Sequence, residues 1–431
     1  MTNTNLVDID LQYIWHPCTQ MKDHESLPLI PIKYGKGVYL YDFEGNRYID
    51  AISSWWVNLF GHSNEYINSK IKEQLNQLEH VILAGFTHKP AIDLAQKLVN
   101  LTPKGLDKLF FADNGSSAVE IALKMSYHYF KNKNIYKDTF LSLTNSYHGE
   151  TLGALSVGDV TLYKDTYKPL LIKNIQTPVP KDKTINSANK ALNILEDILK
   201  KEHKKISAFI IEPLIQGAGS MHMYHPAYIK GARELTKKYD IHLIADEIMT
   251  GFGRTGTMFG VQQANITPDF MTLSKGLTGG YLPLSVVLTT NEIYSAFYCD
   301  YKEHKAFLHS HSYTGNPLAC SAALATLDIF ENEDIINSNK IKSDYIAKSL
   351  EKLKKLNRVK NIRQTGMISA FDIDGNIEDR IGLQVYKYGL QQGVLLRPLG
   401  NTIYFMPPYI ITNQEIDKMI NTAYEAVEKL N

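Results

Sequence analysis

An aspartate and a lysine each end a short apolar segment in the middle of the chain. Asp246 lies near the end of IHLIADEI, Lys275 lies near the end of DFMTLSKG, and GFGRTG lies between them. Short apolar runs of this kind are typical of buried β-strands. A lysine there can bind the aldehyde of pyridoxal phosphate as a Schiff base, and an aspartate can keep its pyridine nitrogen protonated. The pair therefore predicts pyridoxal 5'-phosphate as cofactor.

A lysine at a strand end is more often a solvated surface group, so Lys275 alone would not carry this interpretation. The glycines of SKGLTGG, which follow the strand, favour the functional alternative because they leave room for a bound ring.

A helix is predicted to begin near Gly115, because apolar residues recur at helical spacing in GSSAVEIALKM directly after a strand-like run. The free N–H groups of a helix start and its partial positive charge suit a phosphate group. Gly115 would allow close approach and Ser116 would add a hydroxyl donor. The same letters are also typical of an ordinary helix cap, which is the simpler explanation of the motif alone.

An aromatic residue follows another strand-like run, in NSYHGE, where Tyr147 and His148 are adjacent. Tyr147 could stack on a planar cofactor or could close the core with its hydroxyl in water. Spacing alone does not choose between these roles.

Strand-like runs alternate with helical patterns between about residues 107 and 288, which predicts an α/β fold with a mostly parallel central sheet. Ligands bind beyond the carboxyl ends of such strands. The polar residues that end these runs should therefore mark one crevice: Asp113, Glu212, Asp246 and Ser274.

Three segments are predicted to form two domains. Residues 61–330 would form the large cofactor-binding domain, and residues 1–60 and 331–431 would form a smaller α+β domain from both termini. The polar stretch near residues 180–205 reads as a loop-like shift in composition, and its Lys-rich end reads as a solvated helix face.

Composition narrows the class of protein. The net charge of +1 gives no field that would attract nucleic acid or anionic lipid, and no apolar run approaches the length needed to span a bilayer. Three widely spaced cysteines (Cys18, Cys299 and Cys320) offer neither a disulfide framework nor a CxxC metal site. We therefore expect a cytoplasmic enzyme with small-molecule substrates, no metal, no nucleic acid and no membrane partner.

Longer motifs extend across nearly the whole chain. The segments IEPLIQGAGSMHMYHP, IADEIMTGFGRTGTMF, TLSKGLTGGYLPLS and YTGNPLAC resemble the class III, fold type I aminotransferases. Within that class, IWHPCTQM, AISSWWVNLFGH, LLRPLG and IYFMPPY resemble the members that transaminate 8-amino-7-oxononanoate in biotin biosynthesis.

This resemblance implies a cofactor site. Lys275 would be the Schiff-base lysine and would shuttle the proton, Asp246 would pair with the pyridine nitrogen, and Tyr147 would stack on the ring as the third catalytic residue. Ser312, with His311, would reach the cofactor phosphate of a neighbouring subunit, which implies a homodimer with shared active sites. Cofactor binding is thus assigned to Gly115, Ser116, Tyr147, Asp246, Lys275, His311 and Ser312.

The resemblance also implies a substrate side, on which Arg397 would bind the acceptor carboxylate and Trp55 and Trp56 would wall its methylene chain. Cys18 stands where many relatives have a tyrosine, and Ser310 begins Ser-His-Ser where many have Gly-Pro-Thr. Substrate binding is thus assigned to Cys18, Trp55, Trp56, Tyr147, Lys275, Ser310, Arg397 and Tyr404.

The amino donor has two candidates. Relatives use S-adenosylmethionine or lysine, and Trp55 and Tyr404 favour S-adenosylmethionine because an indole and a phenol suit its adenosyl group. Other functions left open are an ω-aminotransferase for ornithine, γ-aminobutyrate or diamines, a related aminomutase, and a non-catalytic binding protein of the same fold. Roles for Glu212 and Arg254 are also left open.

Overall fold

A computed structural model describes residues 3–27 and 29–430. The chain divides into two compact units. Unit 1 contains Met1–Glu65, Ile341–Arg363 and Ile368–Asn431, and unit 2 contains Tyr66–Lys340 and Gln364–Met367. The sequence-based divisions, after residues 60 and 330, lie five and ten residues earlier in the chain. The sequence did not predict that residues 364–367 belong to unit 2.

The secondary structure of the described residues alternates strands and helices. The β-strands are β1 (Ile32–Lys36), β2 (Tyr39–Asp42), β3 (Arg47–Asp50), β4 (Lys108–Ala112), β5 (Thr139–Leu143), β6 (Asn174–Thr177), β7 (Ile206–Ile211), β8 (Ile215–Gln216), β9 (His222–Met223), β10 (His242–Asp246), β11 (Phe270–Leu273), β12 (Ser285–Thr289), β13 (Val359–Thr365), β14 (Ile368–Ile373), β15 (Val394–Leu395) and β16 (Thr402–Phe405). The α-helices are α1 (Asn3–Tyr13), α2 (Ser53–Trp56), α3 (Glu65–Leu75), α4 (Lys89–Leu101), α5 (Gly115–Asn132), α6 (Leu152–Val157), α7 (Thr161–Lys164), α8 (Ile185–Glu202), α9 (Pro226–Lys238), α10 (Asn291–Ser295), α11 (Pro317–Asn332), α12 (Ile335–Leu350), α13 (Ile381–Gln391) and α14 (Asn413–Glu428).

The large sheet of unit 2 has the strand order β4-β12-β11-β10-β7-β5-β6. Neighbouring strands from β11 to β6 are parallel, whereas β12 runs antiparallel to both β4 and β11. The predicted mostly parallel α/β sheet is confirmed. Strand β12 can run antiparallel because the connection from β11, residues 274–284, contains no α-helix, whereas a parallel crossover needs a dozen or more residues and usually contains one.

Helix α5 packs on this sheet through the apolar face that the sequence predicted. Ala118, Ile121, Ala122 and Met125 lie in one buried cluster with residues of the central strands, among them Phe270 of β11. Each fully buried side chain of the larger apolar types stabilises the fold by about 1.5–3 kcal/mol. This packing fixes the first turn of α5 at the carboxyl edge of the sheet.

The order of the strands decides which sequence-distant residues meet. Strand β10 lies between β7 and β11, so the carboxyl ends of all three are adjacent. Asp246 is the last residue of β10, Glu212 directly follows β7, and Lys275 follows β11 by two residues. The topology thus gathers two carboxylates and an amine at one edge.

Unit 1 contains a sheet of order β1-β2-β3-β15 and a second sheet of order β13-β14-β16. Strand β15 pairs parallel with β3, with Leu395 opposite Asp50. Because parallel strands end at the same edge, the segments that follow them also start together. Those segments carry Trp55 and Arg397.

Two expectations about helices need correction. The polar stretch near 180–205 is not a loop, because α8 covers Ile185–Glu202 and buries Ala188, Ala191, Leu195 and Leu199 on one face. The sequence pattern near residues 318–356 predicts one long helical stretch, but the structure divides it into α11, α12 and a short 3-10 helix at Glu351–Lys355. Across residues 3–27 and 29–430, no helix combines the length and the apolar character needed to cross a membrane.

Candidate active site

Lys275 occupies a constrained position beyond the end of β11. Its φ of 47° lies in the left-handed region, at the start of a 3-10 turn that covers Lys275–Thr278. Burial lowers the pKa of Lys275 to about 8, although the carboxylates of Asp246 and Glu212 pull the pKa upwards. A pKa near 8 leaves far more of the amine neutral at physiological pH than an ordinary lysine has, and the neutral amine is the form that acts as nucleophile or base.

Asp246 is buried and is held by three donors. His148 Nδ1 donates to Asp246 Oδ2 at 2.7 Å, and the Ile248 N–H and the Thr272 hydroxyl donate to Oδ1 at 3.1 and 3.3 Å. Bonds of this kind stabilise the ionised carboxylate in a place where burial would disfavour it. The structure therefore holds a fixed negative charge at this edge of the sheet.

His148 was noted beside Tyr147 in the sequence, but it was given no role. Its ring is buried, and its Nε2 has no hydrogen-bond partner among the described residues. Its position in the sequence could have indicated a role, because His148 comes one residue after Tyr147 and shortly after the end of β5. Only β7 separates β5 from β10, the strand that ends at Asp246.

Glu212, whose role was left open, is also buried. Its Oε1 accepts from the Tyr147 N–H and its Oε2 accepts from the Gly217 N–H, both at 2.9 Å. Burial raises the pKa of Glu212 to about 7, while the nearby His148 acts in the opposite direction. Glu212 therefore fixes the backbone of Tyr147 and adds a titratable charge that Lys275 senses.

The first turn of α5 has the features expected of a phosphate cradle. Asn114 caps the helix by accepting from the Ser117 N–H, and Gly115 is the first helical residue. The Ser116 hydroxyl accepts from the Glu150 N–H at 3.2 Å. A Cβ on Gly149 would lie 1.9 Å from the Ser116 oxygen, so only glycine lets these two segments meet. The first N–H groups of α5 are available to an anion.

Tyr147 is partly exposed at the same edge. Its hydroxyl donates to Glu150 at 3.1 Å, and its ring meets that of Tyr163 at 5.6 Å between centroids. The proposed stacking on a cofactor ring stays a prediction.

Together these residues fit pyridoxal phosphate. A helix start for the phosphate, a lysine of lowered pKa for the aldehyde and a hydrogen-bonded aspartate for the ring nitrogen are the donor set that this cofactor requires. His148 Nε2 adds a buried polar atom that still lacks a partner. Among the described residues, no cluster of three or more histidine, cysteine, aspartate or glutamate side chains is arranged to hold a metal ion.

The segment Ser310–Ser312 lies in a loop of unit 2. Ser310 and Ser312 are exposed, and Thr314 closes the loop by donating its hydroxyl to the His311 carbonyl at 2.7 Å. His311 Nε2 is buried and lacks a partner in the described part of the chain. The predicted contact of Ser312 with a neighbouring subunit's cofactor stays a prediction.

Unit 1 contains a cavity of about 450 Å³. Cys18, Trp55 and Arg397 all line it, and the Arg397 guanidinium lies 5.2 Å from the centre of the Trp55 ring. Arg380 also lines it, but Asp23 binds both arms of its guanidinium, at 2.5 and 2.8 Å. Half of the remaining lining residues are leucine or isoleucine: Leu27, Leu29, Ile30, Ile32, Leu40, Leu383, Leu390 and Leu395.

Trp55 reaches the cavity from an unusual backbone. The left-handed turn, which we define as Ser53–Trp56, has φ values of 51°, 46°, 71° and 75° at four consecutive residues that are not glycine. Left-handed geometry costs L-residues roughly 1–2 kcal/mol each. The surrounding structure must hold this turn in place, and such strain often accompanies a functional role.

Trp56 and Tyr404 lie apart from the cavity lining. Both are buried, and the Trp56 indole N–H donates to the Tyr404 hydroxyl at 3.0 Å. Their predicted direct contacts with substrate stay predictions, while their contact with each other stabilises one end of the left-handed turn. Arg254, whose role was also left open, is the largest fully buried side chain of the described residues.

Comparisons with known proteins agree with this arrangement. Residues 20–427 match the family model of the class-III aminotransferases. The chain is 57% identical over 432 residues to the adenosylmethionine-8-amino-7-oxononanoate aminotransferase of Helicobacter pylori, covering 99% of this chain and 98% of that protein. It is 43% identical to the protein of the same name from Aquifex aeolicus, covering 98% and 96%.

Solved structures give the same result. The crystal structure of the adenosylmethionine-8-amino-7-oxononanoate aminotransferase from Methanocaldococcus jannaschii matches with a TM-score of 0.95 and 40% identity, covering 99% of each chain. The omega transaminase from Pseudomonas jessenii in complex with PMP matches with a TM-score of 0.92 and 29% identity, covering 98% of this chain and 97% of that one. The chain belongs to the class III aminotransferases and is a pyridoxal-phosphate-dependent aminotransferase.

Proposed function

We propose that this enzyme transaminates 8-amino-7-oxononanoate to 7,8-diaminononanoate, a step of biotin biosynthesis, with S-adenosylmethionine as the amino donor. The relatives named above carry this acceptor and this donor in their names and match the chain over nearly its full length. The observation that carries the proposal is the cavity of unit 1, whose aliphatic wall and single unneutralised arginine among its lining residues suit a long acid.

The acceptor has a carboxylate at one end, a methylene chain, and the reacting ketone near the other end. Arg397 suits the carboxylate because its planar fork can donate two parallel hydrogen bonds. The second arginine of the cavity, Arg380, is already neutralised by Asp23. The leucine and isoleucine wall suits the methylene chain, since burying each CH₂ contributes about 0.8 kcal/mol.

The cofactor, when bound, supplies an electron sink that lets the substrate carbon lose a proton. Lys275 accepts and returns that proton, and its lowered pKa keeps the amine able to do both near neutral pH. Asp246 keeps its negative charge fixed in place through His148 and Thr272. Glu212 keeps Tyr147 in position through the Tyr147 N–H.

The donor assignment also follows the relatives' names, and Trp55 supports it because its indole is 40% exposed and lines the cavity. A flat, accessible ring suits an adenosyl group. Tyr404 supports it less, because its phenol is buried against Trp56. Lysine is therefore the alternative donor that the test must include.

We further propose a homodimer with shared sites. Large apolar side chains are exposed around Ser310–Ser312 and in a second segment of unit 2, whose His80 contacts Tyr313, and exposed side chains of this size are typical of protein interfaces. These side chains are Ile82, Phe86, Tyr298, Tyr301, Leu308 and Tyr313. A cytoplasmic location is proposed as well, because none of the three cysteines forms a disulfide, and reduced cysteines persist in reducing compartments.

The function is tested with the purified holoenzyme and 8-amino-7-oxononanoate, by measuring diaminononanoate by mass spectrometry with S-adenosylmethionine, lysine, ornithine or γ-aminobutyrate as donor. We expect product with S-adenosylmethionine and less than about 1% of that rate with the other donors. Product with lysine alone would overturn the donor assignment. If the enzyme transferred amino groups from lysine, ornithine or γ-aminobutyrate but never converted 8-amino-7-oxononanoate, the proposed function would be overturned.

Shared sites are tested by mixing two inactive chains. If Ser312 serves the partner's cofactor, each site combines Lys275 of one chain with Ser312 of the other. A dimer of one Lys275→Ala chain and one Ser312→Asp chain then has one site with both substitutions and one site with neither. We expect such mixtures to recover up to half of the wild-type activity per dimer. If each site uses its own Ser312, no mixture regains activity, and the shared-site proposal fails.

A further inference from the structure

We propose that Asp50 and His62 are positioning residues for acceptor recognition, because they hold the left-handed turn that presents Trp55 to the cavity of unit 1. The inference rests on the proposed function for its kinetic test, but its structural test does not. Neither residue lines the cavity, so each acts through Trp55.

The left-handed turn needs an external hold. Its four residues are two serines and two tryptophans, and none is a glycine that would adopt positive φ without strain. Left to its own preferences, the segment would relax to right-handed or extended backbone. A relaxed turn would point Trp55 elsewhere.

Asp50 supplies this hold from the end of β3. Its side chain is fully buried. Asp50 Oδ1 accepts from the Ser54 N–H at 2.8 Å, and Oδ2 accepts from the Ser54 hydroxyl at 2.7 Å. Two bonds from one carboxylate to one residue fix both the backbone and the side chain of Ser54. Charged acceptors form the stronger hydrogen bonds of proteins.

His62 fixes Asp50 in turn. His62 Nε2 lies 3.0 Å from Asp50 Oδ2, and Asn58 Nδ2 lies 3.3 Å from His62 Nδ1. The amide donates to Nδ1, so Nε2 carries the proton that is donated to the carboxylate. The ring also packs on Gly35, where an added Cβ would lie 2.6 Å from the Cβ of His62. The imidazole therefore has little freedom to move.

The turn is anchored at both ends by other contacts. The Ser53 hydroxyl donates to the Met406 carbonyl at 2.7 Å, and the Trp56 indole donates to Tyr404. Between these anchors, Ser54 and Trp55 are the exposed residues of the turn. Asp50 controls the first of them, and thereby the direction of the second.

Trp55 passes this constraint on to Arg397. The guanidinium lies 5.2 Å from the ring centre, within the range of a cation–π contact. A fixed indole holds the guanidinium in one plane, and a bidentate contact with a carboxylate depends on that plane. A loosened turn should therefore weaken binding of the acceptor carboxylate and leave the cofactor chemistry unchanged.

The kinetic test uses Asp50→Asn, which conserves shape, and Ser54→Ala, a milder change at an exposed position that keeps the fold accessible if the first variant is unstable. We expect the KM for 8-amino-7-oxononanoate to rise about 10-fold or more in Asp50→Asn and about 3-fold in Ser54→Ala. The limiting rate of the half-reaction at saturating amino donor should change less than about 2-fold, because Trp55 is proposed to bind the adenosyl group of the donor and not its reacting amine.

The matched control is Asp372→Asn. Asp372 also accepts from side chains, Arg363 and Thr402, but it lies in β14 of the other sheet. We expect Asp372→Asn to lower stability without raising the KM. An equal rise in KM in this control, or an unchanged KM in both test variants, would overturn the proposal.

A rescue separates positioning from general stability. In the Asp50→Asn background, Ser54→Gly removes the steric cost of positive φ at residue 54. We expect this double variant to recover at least about half of the lost acceptor affinity on a logarithmic scale. A purely structural role for Asp50 predicts no recovery of acceptor affinity in the double variant. A double variant that recovers no affinity would therefore contradict the inference.

The structural test needs no substrate. In a Trp15→Phe background, the remaining tryptophans are Trp55 and Trp56, and the buried Trp56 should be quenched little. We expect Asp50→Asn to change the acrylamide quenching of Trp55, and Ser54→Gly to reverse the change. If the wild-type enzyme did not convert 8-amino-7-oxononanoate, the proposed function would fail. The quenching measurement would still decide whether Asp50 positions Trp55, because it needs no substrate. Unchanged quenching would reject that role.

Discussion

The carboxyl edge of the large sheet and the cavity of unit 1 hold their functional side chains by different means. At the sheet edge, Asp246 ends one regular parallel strand, Glu212 directly follows another, and both are almost wholly buried. At the cavity, Trp55 and Cys18 lie on left-handed backbone and are exposed. The carboxylates of the first region rely on regular strands, although Lys275 beside them has left-handed backbone, whereas the second region relies on strain over four consecutive residues that neighbours must balance.

This difference matches the two tasks of a transaminase. Ionisation is tuned by burial and by nearby charge, which require fixed distances, so the carboxylates that tune Lys275 belong at the ends of rigid strands. Recognition of varied substrates depends on shape, which loops can change without disturbing the sheet. We therefore expect variants at the sheet edge to impair every substrate, and variants of Arg397 at the cavity to impair the acceptor selectively.

The largest effect should come from Lys275→Ala at the sheet edge. Removal of the amine deletes both the anchor and the base, so we expect activity with every donor to fall by about 10⁴-fold or more. The visible absorbance that depends on the cofactor's bond to lysine should also disappear. The control is Lys137→Ala, since Lys137 is another buried lysine whose amine binds Asp240. It should keep the spectrum, and loss of the spectrum in both variants would show general unfolding.

The next largest effect should come from Arg397→Leu in the cavity. Loss of a bidentate contact should lower kcat/KM for 8-amino-7-oxononanoate by about 100-fold, and Arg397→Lys should recover only part because it lacks the planar fork. The donor half-reaction should keep its spectrum and most of its rate. Arg380→Lys is the matched control, because Arg380 lines the same cavity but already pairs with Asp23. A comparable loss in that variant would shift carboxylate binding away from Arg397.

A smaller effect is expected from His148 at the sheet edge. His148→Leu removes the donor to Asp246, and we expect kcat to fall about 10-fold to 100-fold with donor and acceptor alike. His148→Asn, which is close to leucine in shape but keeps an N–H near the position of Nδ1, should retain most of the activity. If both variants lose activity equally, packing and not the hydrogen bond explains the role of His148.

The two regions also differed in how well sequence predicted them. Apolar runs indicated where β7, β10 and β11 end, since a buried strand in a parallel sheet is apolar on both faces. The mostly parallel sheet and the class III resemblance are confirmed. The reversal of β12 and the helix over residues 185–202 were missed, because strand direction depends on connection geometry and polar helices resemble loops in composition.

Side-chain contacts were harder to predict than strand ends. The bond between His148 and Asp246 joins residues 98 positions apart, and it arises from strand order that no local pattern encodes. The left-handed turn was hidden for a second reason. Serine and tryptophan have no preference for positive φ, so tertiary contacts from Asp50 and Met406 impose it.

The smallest effect, a shift in a pH profile, tests whether charge is shared at the sheet edge. Glu212 raises the pKa of Lys275, while burial lowers that pKa to about 8. Only the neutral amine can attack the cofactor aldehyde, so cofactor uptake by apoenzyme should rise as the pH increases through about 8. Glu212→Gln removes a negative charge that favours the ammonium form. The pKa of Lys275 should therefore fall, and uptake should reach its plateau at lower pH.

The matched control for this shift is Glu247→Gln. Burial raises the pKa of Glu247 to about 7, as it does for Glu212, but Glu247 bonds to Thr250 and to the N–H groups of Gly260 and Val261, away from Lys275. Uptake followed by absorbance across the pH range should keep its wild-type midpoint in this variant. Equal shifts in both variants would mean that buried carboxylates act through the fold as a whole. A shift in Glu212→Gln alone would show that the electrostatic coupling at the sheet edge is local, as its fixed strand ends require.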